Sequence, residues 1–183
     1  MNGDDVVRRV IDGLDRIGVD YMVVGSYASN AWGRPRGSYD ADLVVRTSEA
    51  DTRRIREEFQ DEFALEPEAL ARDLAAGRMF NLIPRSGYFK VDLIPLRDTE
   101  FAREEFSRRR RVSALGREVF MASPEDTILS KLDWYRKGNQ VSARQVEDAR
   151  DIYTLQRSAL NEAYLDEWAH KLGIEDALAR VRA

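Results

Sequence analysis

The sequence predicts an α+β fold: a mixed β-sheet flanked by helices, followed by a C-terminal segment made of helices alone. Three observations carry this expectation. Short β-branched runs and amphipathic helical stretches are interleaved up to about residue 122. From Ser123 onward every apolar pattern has helical spacing. No internal repeat, linker or low-complexity stretch separates the two parts, so residues 123–183 read as a helical segment packed on residues 1–122.

Each element has its own reason. Val6, Val7, Val10, Ile11, Leu14 and Ile17 recur at helical spacing, and Gly18 stands where a C-terminal cap belongs. Asp20 to Val24 is a short apolar run and reads as a buried strand. Gly25-Ser26 interrupts it, and Tyr27 to Trp32 predicts a short helix before the loop Gly33-Arg34-Pro35-Arg36-Gly37. Asp40 to Val45 resumes as a strand, and Ser48 with Asp51 forms a capping box for a helix reaching about Phe59. A helix follows Pro67, two strands cover Met79 to Ile83 and Tyr88 to Ile94, and residues 98–106 read as helical. Arg109 to Ala114 and Glu118 to Ala122 form a hairpin around Leu115-Gly116-Arg117. Ser123-Pro124-Glu125-Asp126 then starts a helix, with its cap, its first-turn proline and its acids in order.

Composition narrows the chemistry. The 183 residues suit one domain, with 29 basic against 33 acidic side chains and a net charge of -4. That mixed charge, with 43% hydrophobic residues, excludes a disordered chain. Net acidity argues against non-specific coating of nucleic acid. There is no apolar run of the ~20 residues a membrane helix needs. Met1-Asn2-Gly3-Asp4-Asp5 is acidic and polar where a secretory signal is basic and apolar, so the expected location is cytoplasmic. With no cysteine and a single histidine, His170, thiolate sites are excluded and a Ser-His-Asp triad has almost no support. Carboxylates, hydroxyls, Arg and Lys are left to do the chemistry.

Three aspartates stand out. Asp40 and Asp42 are two apart on one strand, so they share a face, and Asp92 lies inside Phe89-Lys90-Val91-Asp92-Leu93-Ile94. Aspartate is depleted in strands, and an unpaired buried carboxylate costs several kcal/mol. Three among Val, Leu and Ile call for a compensating cation, and oxygen-only donors point to Mg²⁺, bound in part through substrate phosphates. Two ions are expected, with Mn²⁺ as the alternative, because paired metals stabilise both oxygens of an in-line displacement. Upstream, Gly25-Ser26 is a small-residue turn between a strand and a helix, where backbone N–H groups can approach a phosphate. Either feature alone has a plain structural explanation, a strand-end Asp bonding its own loop or a serine-capped turn.

Together these residues match a family. Val23-Val24-Gly25-Ser26, a spacer of thirteen residues, Asp40-Ala41-Asp42-Leu43-Val44-Val45, and then Val91-Asp92-Leu93-Ile94 resemble the DNA polymerase β-like nucleotidyltransferase superfamily. Arg36-Gly37-Ser38-Tyr39-Asp40-Ala41-Asp42 is similar to the Arg-x-Thr-x-Asp-x-Asp stretch of its small stand-alone bacterial members, with Ser38 for the usual Thr. Ala122 to Asp126, Lys131-Leu132 and Glu147 to Ile152 look like their helical tail, and abortive-infection toxin nucleotidyltransferases are the group most resembled. The resemblance spans about residues 5–155 and implies a catalytic core over 1–122. It implies metal binding and catalysis by Asp40, Asp42 and Asp92, and nucleotide binding by Gly25, Ser26, Arg36 and Lys131. It further implies transfer of a nucleoside monophosphate from an NTP to a hydroxyl acceptor, tRNA foremost, in a toxin-like role with an antitoxin partner. A small molecule such as an aminoglycoside, a protein hydroxyl, and a non-catalytic nucleotide-binding module are the alternatives.

The remaining features divide between function and structure. Arg108 to Arg111 is a run of four like charges, which either faces phosphate or shields an edge strand. A basic acceptor groove built from it would favour RNA, and an acidic groove a cationic small molecule. Tyr27, Trp32 and Tyr39 flank the expected site as base-stacking candidates or as core. Asp148 and Asp151 share a helical face and are expected to pair with Arg144 or Lys131. His170 and Trp168 read as surface or packing residues.

Overall fold

The computed structural model describes residues 2–183. Helix α1 (Gly3–Arg16) opens on a capping box between Asn2 and Asp5 and buries Val6, Val7, Val10, Ile11 and Leu14. Strand β1 (Asp20–Val24) runs directly into α2 (Gly25–Trp32), which begins at Gly25, two residues before the expected start. Strand β2 (Asp40–Arg46) and α3 (Glu49–Phe59) follow, with the Ser48–Asp51 box in place. Next come β3 (Phe63–Ala64), α4 (Pro67–Ala75), β4 (Phe80–Pro84), β5 (Lys90–Pro95) and α5 (Glu100–Ser107). The hairpin is β6 (Arg110–Ala114) and β7 (Arg117–Met121), and α6 (Pro124–Lys137) starts at the Ser123 cap. Helices α7 (Ala143–Gln156), α8 (Glu162–Leu172) and α9 (Glu175–Arg182) complete the described chain.

The strands form one seven-stranded mixed sheet in the order β3-β4-β5-β2-β1-β7-β6, as the α+β expectation requires. β1 pairs antiparallel with β2, and β2 pairs parallel with β5, placing Asp42 opposite Asp92 and Asp40 opposite Lys90. Strand β3 escaped prediction because a two-residue strand is too short for a period to show.

One apolar core joins α1, α3, α4 and the sheet, with Phe59, Phe63, Leu43, Val45 and Leu93 buried in it. A second lies among α6 to α9, built from Ile128, Leu132, Ile152, Leu165 and Trp168. Trp32 packs against both, and its indole N–H donates to the Ala122 carbonyl at 2.8 Å. The helices therefore wall the end of the sheet that carries the aspartates. No helix among the described residues is long and apolar enough to cross a membrane.

Candidate active site

A cavity of about 1020 Å³ opens at the C-terminal end of β1, between the sheet and helices α5, α6 and α8. Among its lining residues are Gly25, Ser26, Arg36, Asp40, Asp42 and Lys131. Six of the seven residues predicted to serve the site thus meet in one space, although they come from separate parts of the chain. The seventh, Asp92, lies behind them, 3% exposed and opposite Asp42 in the β2–β5 register.

Gly25 makes this packing possible. Its φ is +62°, a left-handed conformation that side chains disfavour, and a Cβ there would collide with the Asp42 carboxylate. The residue therefore supports a chain reversal and a close approach at once. Helix α2 starts at this point with no side-chain hydrogen bond capping it, so its first N–H groups remain free. The Ser26 hydroxyl lies 2.8 Å from that of Ser38, which in turn donates to the Asp40 carbonyl at 2.9 Å. Ser38 thus ties the turn to β2 with its hydroxyl. Asn30 holds the loop above: its side-chain amide donates to the Arg36 carbonyl at 2.7 Å and accepts from the Arg36 N–H at 3.1 Å.

The carboxylates make an electrostatically loaded group. Burial, followed by repulsion from Asp40 and Asp92, pushes the Asp42 carboxyl up to about 6. Lys90, which the sequence reading passed over, lies among them. Its ammonium donates to Asp92 Oδ2 at 2.5 Å and sits 3.5 Å from Asp40 Oδ2. Asn81 on β4 donates to the other Asp92 oxygen, also at 2.5 Å. Burial is the largest single influence and lowers the Lys90 ammonium, but the hydrogen bonds and charges of Asp92 and Asp40 together outweigh it and the group is raised.

As the side chains stand, no three acidic or imidazole groups among the described residues converge in a metal-holding arrangement; the ammonium holds two of the carboxylates instead. The donor chemistry nevertheless fits a hard divalent cation. Three aspartates face one side of two paired strands, and Asp42 remains short of compensating charge.

Arg36 and Lys131 converge from the loop and from α6 on a single carboxylate. Asp148 on α7 accepts from Arg36 Nε and Nη2 at 3.0 and 2.8 Å and from Lys131 Nζ at 2.7 Å. Burial raises Asp148, yet the hydrogen bonds and charges of Arg36 and Lys131 together hold it below the usual carboxylate range. The expected Asp148–Lys131 pair is present, whereas Asp151 pairs with Arg34 at 3.5 Å, not with Arg144 or Lys131.

Other expectations resolve toward structure. Arg108 lies 3.3 Å from Asp126 and 3.7 Å from Glu125, two buried acids at the start of α6, with its guanidinium 3.8 Å from the Tyr164 ring centroid. Arg109 stacks on Phe106 and Phe120 and lies 3.6 Å from Asp20, and Arg110 lies 3.3 Å from Glu125. The run lies at the edge strand β6 and is largely consumed within the molecule, so it does not form the free basic groove that RNA would favour. Tyr27 donates to Asp4 at 2.9 Å and Trp32 belongs to the core; of the three aromatic candidates only Tyr39, 92% exposed, stands free on the cavity lining. His170 sits on the surface against Glu175.

This geometry defines a class by its fold: the chain has the fold of solved nucleotidyltransferases similar to it. One is ANT(2")-Ia in complex with adenylyl-2"-tobramycin, with a TM-score of 0.59 and 15% identity over 94% of this chain and 97% of that one. A second is the lincosamide antibiotic adenylyltransferase LnuA with lincomycin bound, with a TM-score of 0.56 and 11% identity over 85% and 98% of the two chains. A third is an antigenic nucleotidyltransferase-like protein from Paracoccidioides brasiliensis, with a TM-score of 0.56 and 17% identity over 97% and 90%. No family model matches the chain, and no curated protein sequence does.

Proposed function

We propose that the chain is a metal-dependent nucleotidyltransferase that moves a nucleoside monophosphate from an NTP to the hydroxyl of a small-molecule acceptor. The observation that carries this is the meeting of Asp40 and Asp42 with the uncapped start of α2 in one cavity, with Asp92 directly behind. In this reading the free N–H groups at Gly25 and Ser26 hold the β- and γ-phosphates. Arg36 and Lys131, oriented by Asp148, neutralise the triphosphate. Asp40, Asp42 and Asp92 would hold Mg²⁺ or Mn²⁺, which when bound supplies charge neutralisation and Lewis acidity at the phosphates. The acceptor oxygen attacks the α-phosphorus, and its proton passes to the carboxylate pair of Asp40 and Asp42 on the cavity lining, with Asp92 behind them. The bond from the α-phosphorus to the bridging oxygen breaks, and pyrophosphate leaves with the electron pair. Positioning and charge neutralisation supply the acceleration; no covalent enzyme intermediate is needed.

A small acceptor is favoured over tRNA for three reasons. The run Arg108 to Arg111 is engaged with internal acids and aromatic rings, and the cavity is large enough for two small ligands. Two structures of similar fold are also described with a small antibiotic or its adenylylated form bound. Residues 1–122 serve as the catalytic core in this reading, and residues 123–183 complete the cavity wall. The test is transfer of α-labelled NTPs, with Mg²⁺, into the RNA, protein and small-molecule fractions of a cell extract. Label in the small-molecule fraction, lowered about a thousandfold by Asp40→Asn, is the expected result. Label confined to tRNA would restore the RNA acceptor and the toxin-like role, and no label in any fraction would refute transfer.

A further inference from the structure

Resting on that reading for the rest of the cavity, we infer that the part of the cavity around Glu105 is a cation subsite that takes a protonated amine of the acceptor. Glu105 projects from α5, is about nine-tenths buried, and still lines the cavity. Its side-chain partner is one neutral hydroxyl, that of Ser130 on α6, which donates to Oε1 at 2.8 Å. No Lys, Arg or His side chain among the described residues lies within 4.0 Å of its carboxyl.

The neighbouring acids differ. Asp126 accepts from Ser123, Tyr164 and Arg108, and Asp133 is paired with Arg136 and Lys137. Of the other lining cations, Lys171 is engaged by Glu100 and Glu167 and Lys131 by Asp148, whereas Arg97 and Arg144 form no ion pair among the described residues and lie beyond 4.0 Å of Glu105. Glu105 is therefore a buried carboxyl that faces open space without a counter-ion.

The walls beside it suit a cation. Phe101, Trp134 and Trp168 line the same cavity. Two of these rings already carry positive charge: Lys171 lies 4.4 Å from the Trp168 centroid, and Arg97 lies 5.7 Å from that of Trp134. An ammonium placed here meets a carboxyl and aromatic faces, both attractive to it. A phosphate placed here meets an acid that no resident cation neutralises.

Burial, reinforced by the negative charges of Asp126 and Asp133 on α6 and opposed by the Ser130 bond, pushes Glu105 up to about 8. At pH 7 it is thus mostly protonated. An arriving ammonium favours the carboxylate, so binding expels the carboxyl proton to solvent and leaves an ion pair.

The test is isothermal titration of the full chain at pH 7 with tobramycin and with spermidine, each in two buffers of different ionisation enthalpy, and with Mg–ATP in parallel. An amine should bind the wild type and release about one proton. Glu105→Gln should weaken that binding roughly tenfold and abolish the proton release, with Mg–ATP affinity changed less than about twofold. Ser130→Ala keeps the carboxyl and removes only its hydroxyl partner; it should weaken the amine by a few-fold, and it serves if Glu105→Gln does not fold. Equal amine binding by wild type and variant, or no amine binding beside intact Mg–ATP binding, overturns the subsite and leaves nucleotidyl transfer standing. Amine binding without Mg–ATP binding overturns the transfer reading, and with it the amine's role as acceptor.

Discussion

Two groups of basic side chains in this molecule look alike in composition and behave in opposite ways. Arg108 to Arg111 are adjacent in sequence and suggest a phosphate-binding patch, yet Arg108 and Arg110 neutralise Glu125 and Asp126 at the buried start of α6, and Arg109 and Arg111 lie over aromatic rings. Arg36 and Lys131 are 95 residues apart in sequence and suggest nothing individually, yet the fold brings both to Asp148 on the lining of the cavity. The difference shows that proximity in sequence is a poor guide to where a charge is spent. What matters is how many internal acids each cation must satisfy. The Arg108 group faces buried acids with few other partners, whereas two cations share the one carboxylate of Asp148 and keep capacity for an incoming anion.

The largest expected effect comes from removing that shared carboxylate charge. Asp148→Asn leaves Lys131 buried beside Arg36 with no anion between them, so the free protein should lose about 3 kcal/mol of stability. A triphosphate would supply the missing negative charge. Mg–ATP should therefore raise the Tm of Asp148→Asn more than that of the wild type, while transfer falls roughly a hundredfold because both cations lose their common tether. Equal Tm shifts in the two proteins would mean that Arg36 and Lys131 do not face the nucleotide.

Arg108→Ala sets the contrast. It strips the buried Asp126 of its cation, deprives Glu125 of one of two, and removes the stack on Tyr164, so a loss of about 2–3 kcal/mol in chemical denaturation is expected. Here Mg–ATP should give no additional rescue beyond its wild-type shift. If nucleotide restored this variant as fully as Asp148→Asn, the division between structural and ligand-facing cations would collapse.

Much of this organisation was legible in the residue order, for physical reasons. The Asp40–Asp42 pair was readable because a strand has a period of two, and the start of α6 because Ser123-Pro124-Glu125-Asp126 is locally self-consistent. Lys90 was legible by the same period, two residues before Asp92 on the same face, but a lysine beside an aspartate attracts no notice until the partner strand puts Asp40 opposite. Asn81 and Glu105 had no local signal. Asn81 reaches Asp92 only through the β4–β5 pairing, and Glu105 became a lone buried acid only when α5 packed against α6. Conversely, the charge of Arg108 to Arg111 was visible but its destination was not, because Glu125 and Asp126 read as ordinary helix-start acids.

Arg111 offers the smallest effect and the sharpest control. It is exposed, and its guanidinium lies 5.2 Å from the Phe120 ring centroid. With no buried acid depending on it, Arg111→Ala should change stability by less than about 0.5 kcal/mol. It is also the member of the run best placed to meet a phosphate from solvent. If the protein used this edge of the sheet to hold RNA, Arg111→Ala would weaken tRNA binding and lower the salt dependence of that binding by about one counter-ion. The internal pairing of its neighbours predicts that neither change is seen. Titrating tRNA into wild type and Arg111→Ala at two salt concentrations tests this without requiring any catalytic turnover. An unchanged slope would remove Arg111, the arginine of the run without an internal acid partner, from the RNA question.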